Sequence, residues 1–217
     1  MKLNDYFDKI YCINLDRRID RWEECQKIFS KFNLEVERFS AIDGNKENHG
    51  LGYPYDNELA GAISHTKVIE KARELKLKNV LILEDDVDFI DDLENMFTKS
   101  INGLPQKWDG LLFGGNHVGG GIMITNNLMK VNRSYALHSY ALNSKVFSET
   151  VDYMNSRIQN VIDNGKGVIK TSVAADFFMA DLQRINDWYC LRPHLAWQRT
   201  GFSDIQNTIM DYDFLRK

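Results

Sequence analysis

The chain has 217 residues, of which 43% are hydrophobic and 27% charged, with a formal net charge of -4. Length and composition describe a globular chain with a buried core, and the mildly acidic balance supplies no overall positive field for a nucleic acid or an anionic membrane. Three cysteines, Cys12, Cys25 and Cys190, odd in number and far apart, argue against a disulfide framework and a C-x-x-C zinc site and suit a reducing compartment. With no apolar signal core at the N-terminus and no uninterrupted apolar stretch of membrane-spanning length, the expectation is a cytoplasmic protein.

In chain order, Lys9 to Leu15 predicts a first strand that breaks into Asp16-Arg17-Arg18-Ile19-Asp20-Arg21. Ile19, Trp22, Cys25, Phe29 and Phe32 then recur at helical spacing. Leu34 to Ile42 alternates as a second strand and stops at the turn pair Asp43-Gly44. A polar loop, Asn45 to Asn57, leads to a helix capped by Asp56 or Asn57, with Leu59, Ala62, Ile63 and Ile69 on one face, running to about Leu77. This alternation of strands and helices predicts a mostly parallel sheet in an α/β fold.

The next strand is the informative one. Val80 to Leu83 is wholly apolar, as in a strand buried on both faces, and it stops at Glu84, Asp85 and Asp86. Like charges so close repel. Either water reaches them freely, as in an exposed turn before a helix over Asp91 to Phe97, or a cation sits among them. Ligands bind at the carboxyl ends of strands in open α/β sheets, which favours attention to this cluster. Hard oxygen ligands without a Cys or His cluster suit Mg2+ or Mn2+, ions that bridge a carboxylate to substrate phosphates. Glu84 and Asp86, or Asp86 and Asp88, are two apart and face the same way in an extended backbone; spacing leaves the choice open. Arg17, Arg18 and Arg21 follow the first strand on the same sheet edge and suit a pyrophosphate, or else form a solvated helix start.

Trp108 to Phe113 reads as a strand opening into Gly114 to Gly121, where five glycines in eight residues point to close backbone approach or mobility. Tyr135 to Leu142 is a further strand. Ser144 to Asn164 is a helix with Phe147, Val151, Met154, Ile158, Val161 and Ile162 in one stripe, stopped over Asp163 to Gly167. A shorter helix starts at Ala175-Asp176 with Phe178, Leu182 and Ile185 inward. Trp188 to Ile205 is aromatic and holds His194, Gln198 and Asp204. Taken singly, His65, His117 and His138 read as structural, and Tyr140, Trp188 and Trp197 as core. No repeat or linker divides the chain, so one domain over 1–217 is expected.

Four stretches in order, Ile13-Asn-Leu-Asp-Arg-Arg-Ile-Asp-Arg21, Ala41-Ile-Asp-Gly44, Glu58 to Ser64-His65, and Val80 to Asp86, resemble glycosyltransferase family 25. That family includes the bacterial lipooligosaccharide galactosyltransferases and the collagen galactosyltransferases. His138-Ser-Tyr140, Ala175-Asp176, Pro193 to Gln198 and Ser203-Asp-Ile205 continue the likeness. Ala62 stands where the family often has Cys, and the Gly114 to Gly121 loop lies outside the family pattern. The resemblance implies a GT-A fold and a metal-dependent inverting hexosyltransferase. Such an enzyme moves galactose or glucose from a UDP-sugar to a hydroxyl of a glycan or similar acceptor, with Mn2+ or Mg2+, as in lipopolysaccharide biosynthesis. It implies Glu84 and Asp86 as metal ligands with His194 as a third, and Asp85 at the diphosphate. Asn14, Arg17, Arg21 and Asp43 would contact the nucleotide, and Ser64 and His65 would flank the donor. Asp176 would be the catalytic base, its helix-start position favouring the ionised form. Peripheral membrane contact stays compatible with this, and a nucleic-acid partner does not. Two other readings use the same acids: a nucleotide-sugar binder without turnover, and a receiver-like signalling domain, which would need its acids at the first strand and a later phosphoacceptor Asp and Lys.

Overall fold

A computed structural model describes residues 1–165 and 171–216. The chain opens with helix α1 (Leu3–Tyr6), strand β1 (Lys9–Asn14), helix α2 (Ile19–Lys31) and strand β2 (Val36–Ser40). Helix α3 (Tyr55–Glu74) leads to β3 (Asn79–Glu84), the short β4 (Val87–Phe89) and α4 (Leu93–Ile101). Six short strands follow: β5 (Gly110–Leu112), β6 (Asn116–His117), β7 (Gly121–Thr125), β8 (Leu128–Val131), β9 (Ser134–Tyr135) and β10 (Ser139–Asn143). Helices α5 (Phe147–Asn164) and α6 (Ala175–Leu182) precede β11 (Trp188–Leu191), β12 (Ala196–Gln198) and a hairpin of β13 (Gly201–Ser203) and β14 (Thr208–Met210).

The main sheet has eight strands in the order β2-β1-β3-β10-β5-β11-β8-β7. Among the described residues, all of them but β10 and β8 run the same way, which makes the sheet mostly parallel in strand direction. Its central strands are covered on both faces. Tyr11, Ile13, Val80 and Ile82 pack under α3, α5 and α6, while Ile10, Cys12, Leu81 and Leu83 pack under α1, α2 and α4. Val80 to Leu83 are all fully buried, at about 1.5–3 kcal/mol of transfer free energy for each large apolar side chain. That burial is why an unbroken apolar run, and not an alternating one, makes this strand.

Helices α2 and α5 bury the stripes read from the sequence, with Cys25 and Phe29 inward on α2 and Phe147, Val151, Met154 and Ile158 inward on α5. Four features differ from expectation. Helix α3 starts at Tyr55 behind Pro54, with no side-chain cap. Asp56 turns back instead and accepts backbone N–H bonds from His49 at 2.9 Å and Gly52 at 2.8 Å, so it closes the preceding loop. Ile185 is 72% exposed because α6 ends at Leu182, one turn too early to carry it inward. The expected strand Tyr135 to Leu142 is split at Ala136, whose φ of 66° breaks the extended backbone. Its first part pairs with β6, and its second enters the sheet antiparallel between β3 and β5. Gly167, the end of the expected stop signal after α5, lies outside the described residues. Among the described residues no helix is long and apolar enough to cross a membrane.

Candidate active site

Because β1 and β3 pair in parallel register, with Ile13 opposite Glu84, their carboxyl ends deliver Asn14 and the acid cluster to one edge of the sheet. Asn14 Nδ2 donates to Asp85 Oδ2 at 2.7 Å, and its Oδ1 accepts from Arg38 at 2.7 Å. Arg21, in the first turn of α2, donates to Asp85 Oδ1 at 2.5 Å and lies 3.7 Å from Asp86 Oδ2. Both oxygens of Asp85 are thus engaged by the protein itself. Glu84 Oε1 lies 3.2 Å from His65 Nε2, and His65 Nδ1 lies 3.0 Å from the buried Tyr140 hydroxyl. Asp86 receives only a long bond, 3.4 Å, from Gln198 Nε2 on Oδ2, and its Oδ1 is buried without a partner. Asp88 accepts from the Phe89 N–H at 2.8 Å on β4, away from the cavity that Glu84, Asp85 and Asp86 line.

The charges of this cluster oppose one another. Burial and then the neighbouring Glu84 charge push the Asp86 carboxyl up to about 7. Burial also raises Asp85, against the pull of Arg21. Burial works against the Glu84 charge too, but the His65 hydrogen bond and charge outweigh it and hold that carboxyl below its ordinary value. Arg21 bonds to Asp85 and reaches Asp86 only at 3.7 Å, so its charge does not offset burial and the Glu84 charge at Asp86. A divalent cation would remove that conflict and occupy the unpartnered Asp86 oxygen, so these residues fit a hard metal ion.

The cleft over these acids has a volume of about 170 Å³ and is lined by Arg17, Arg21, Asp43, Ser64, His65, Glu84, Asp85 and Asp86 among others. Asn14 stands behind the acids, 1% exposed. Arg17 Nε meets Asp43 Oδ2 at 3.0 Å, and Arg17 and Arg18 both pair with Asp204. The Ser64 hydroxyl accepts from the Ile42 N–H at 2.8 Å and donates to Ala60 O, so it pins the turn that carries Asp43. A second cavity of about 310 Å³ adjoins the first and shares His65, Glu84, Gln198 and Tyr212 with it.

Asp176 lines this second cavity. Its Oδ2 accepts from the Ala136 N–H at 3.1 Å, and its Oδ1 is buried without a partner. Its position in the first turn of α6 is as expected, but the effect on charge is not. Burial raises the carboxyl above its ordinary value in spite of the Ala136 and Phe177 N–H groups, so desolvation outweighs the helix start. A second correction concerns His194, which lines neither cavity. It sits beside His117, Cys190 and Arg192, because the chain turns away from the acid edge between β11 and β12. Tyr212 went unnoticed in the sequence, where a lone aromatic between Asp211 and Asp213 carries no spacing signal. Burial and the charges of Asp86 and Glu84 push its hydroxyl up to about 12.

A mostly parallel sheet whose strand ends carry acids, arginines and two joined cavities defines an α/β protein with a ligand site at its topological edge. The sequence makes the class more particular. Residues 7–112 match Glycosyltransferase family 25 (LPS biosynthesis protein). The chain is 34% identical over 100 residues to a glycosyltransferase 25 family member of Drosophila pseudoobscura pseudoobscura, covering 38% of this chain and 16% of the relative. It is 30% identical over 121 residues to procollagen galactosyltransferase 2 of Homo sapiens, covering 48% and 19%. The chain therefore spans less than a fifth of the length of either relative. Among solved structures, the glycosyltransferase GlyE of Streptococcus pneumoniae TIGR4 superposes with a TM-score of 0.49 at 13% identity, over 85% of this chain and 45% of that one, a likeness too distant to carry an argument.

Proposed function

We propose that residues 1–217 form a single GT-A-like domain, acting as a cytoplasmic, metal-dependent inverting glycosyltransferase. It transfers a hexose, galactose or glucose, from a UDP-sugar to a hydroxyl of a glycan or similar acceptor. The observation that carries this reading is the shared wall: an acid- and arginine-lined cleft for a donor, joined through Glu84 to a second cavity that holds a buried carboxyl. Galactose is favoured by the galactosyltransferase named among the relatives.

In this reading Arg17 and Arg21 meet the diphosphate by charge-assisted bonds, exchanging their present acidic partners for phosphate oxygens. Asp43, in the turn pinned by Ser64, faces the nucleoside. Glu84 and Asp86 would hold Mn2+ or Mg2+, whose Lewis acidity offsets charge on the departing diphosphate. Asp85 would lie at the diphosphate, held by Asn14 when Arg21 turns to the phosphate oxygens. The acceptor enters by the second cavity. Its oxygen forms the new bond to the anomeric carbon from the face opposite UDP, its proton passes to Asp176, and the bond to the UDP oxygen breaks. A raised carboxyl suits that task, since a base with a pKa nearer neutrality is the stronger proton acceptor.

Calorimetry with UDP, with and without Mn2+, followed by an assay for UDP released from UDP-galactose and UDP-glucose, tests this. The expected result is Mn2+-dependent UDP binding and release of UDP that a chelator abolishes. Absence of UDP binding under both conditions overturns the reading, and binding without release reduces the protein to a nucleotide-sugar binder.

A further inference from the structure

The Gly114 to Gly121 loop plays no part in the chemistry above, yet it is fixed in place with care. A Cβ on Gly114 would meet Ala196 O at 2.2 Å, and one on Gly115 would meet Ser134 Oγ at 2.6 Å. Only glycine lets the loop lie this close to β12 and β9. Phe113 O accepts from the Leu195 and Ala196 N–H groups at 2.7 and 3.1 Å, and Val118 N–H donates to Arg133 O at 3.0 Å. Close approach at one end and pairing at the other aim His117, between the two glycine runs, at the segment that follows β11.

What it meets there is a set of ligand atoms. His117 Nε2 lies 3.1 Å from His194 Nε2, the ring centroids are 5.2 Å apart at 77°, and the Cys190 thiol completes a trio whose ligating atoms all fall within 4.8 Å of one another. Cys190 is fully buried, His194 is 6% exposed, and His117 Nδ1 is buried without a partner. Arg192 Nη1 also lies 3.1 Å from His194 Nε2. A neutral imidazole nitrogen has one lone pair, so His117 and Arg192 compete for the same acceptor. We propose that His117, Cys190 and His194 bind one zinc ion through two imidazoles and a thiolate, clamping the glycine loop to the segment between β11 and β12.

Two imidazoles and a thiolate are borderline-soft ligands that suit Zn2+ better than the oxygen-preferring Mn2+ or Mg2+ of the acid cleft, so the two sites sort their metals by ligand chemistry. Binding requires small movements. The two imidazole nitrogens spread to admit the ion, Arg192, which is partly exposed, releases His194, and the buried Cys190 proton leaves to solvent as the thiolate forms. Burial drives His117 down to about 4, which keeps its imidazole neutral and available, and raises the Cys190 thiol to about 12, so the ion itself must draw off that proton. The clamp would act on the second cavity: Asn116, next to His117, lines that cavity, as does Gln198 at the end of β12. The inference stands apart from the transfer reaction and is tested without it.

The experiment strips the protein with a chelator and titrates it with ZnCl2 and with CoCl2, following zinc by calorimetry and cobalt by absorbance. Zinc binding with proton release, and a thiolate-to-cobalt charge-transfer band in the near ultraviolet, are expected; carboxylates alone cannot give that band. His117→Ala, a loop substitution, should weaken binding by about tenfold or more and remove or shift the band while the circular dichroism spectrum holds. Glu84→Gln should leave the band unchanged. No band in the wild-type protein, or undiminished zinc affinity and band in His117→Ala, overturns the site.

Discussion

The two joined cavities are built by different means. The first is walled mainly by the ends of β1 and β3 and the turn at Asp43, all within the stretch that matches the family, and its polar groups are held by one another: Asn14 and Arg21 on Asp85, His65 on Glu84, Arg17 on Asp43. The second is walled mainly by Asn116, Tyr135 to Leu137, the start of α6 and the region of Ser203 to Tyr212, outside that stretch, and one of its acids, Asp176, keeps an unsatisfied oxygen. The first cavity's polar groups thus hold one another, while Asp176 in the second keeps an oxygen that the protein leaves unsatisfied.

The largest effect is expected from Asp86→Ala, which removes the least satisfied acid of the first cavity. Release of UDP from UDP-galactose or UDP-glucose should fall by at least about a thousandfold, and Mn2+-dependent UDP binding should go with it. Thermal stability should hold, since a strained buried carboxyl is lost; undiminished turnover would break the assignment. Asp176→Asn strikes the other cavity. Transfer should drop about 10²–10⁴-fold, the range for one general base, while calorimetry still finds UDP bound as in the wild type. Loss of UDP binding in this variant would erase the distinction between the two cavities.

A third substitution concerns stability. Arg21→Ala leaves Asp85 and Asp86 buried without their cation and should cost about 3–5 kcal/mol, read as a fall in the denaturant midpoint. A smaller effect sharpens the reading of Asp176. Its carboxyl is raised in the folded protein, so the folded state is penalised as pH rises above the ordinary carboxylate value, and no penalty remains below it. Asp176→Asn should therefore be more stable than the wild type at neutral pH, with the margin closing as the pH falls below about 4. A margin independent of pH would mean that the substitution acts through packing and not through charge.

The first cavity was the more legible in the sequence, for a local reason. Apolar run, acid stop and basic helix start are neighbours in the chain, and a parallel pair of strands carries such neighbours to one edge without further information. Periodicity likewise gave α2 and α5. The insertion of β10 between β3 and β5 was not legible, because strand order is set by pairings between distant segments that no local pattern encodes. The Asp56 cap failed since a carboxylate four residues from a glycine turn has a nearer set of N–H donors. Asp176 was found by motif, but the sign of its perturbation depended on how deeply the fold buries it. His117 was read as structural and His194 as a ligand of the acid site; their meeting depends on glycines that permit a close approach no spacing rule describes.

The contact between Arg17, Arg18 and Asp204 has a consequence in time as well as in space. Asn57 adds a 3.1 Å bond to the Asp204 carbonyl and Arg21 a 3.2 Å bond to the Phe202 carbonyl, so the first strand end is closed by residues near the far end of the chain. The Arg17 to Asp204 pair spans 187 positions, and such loops close only after the intervening chain has ordered. During synthesis the acid edge is complete once β3 has emerged, yet its cleft has no roof until the residues after β12 leave the ribosome. A nascent chain that has made its sheet and both main helix layers would still lack the closed cleft until the segment around Asp204 has been made.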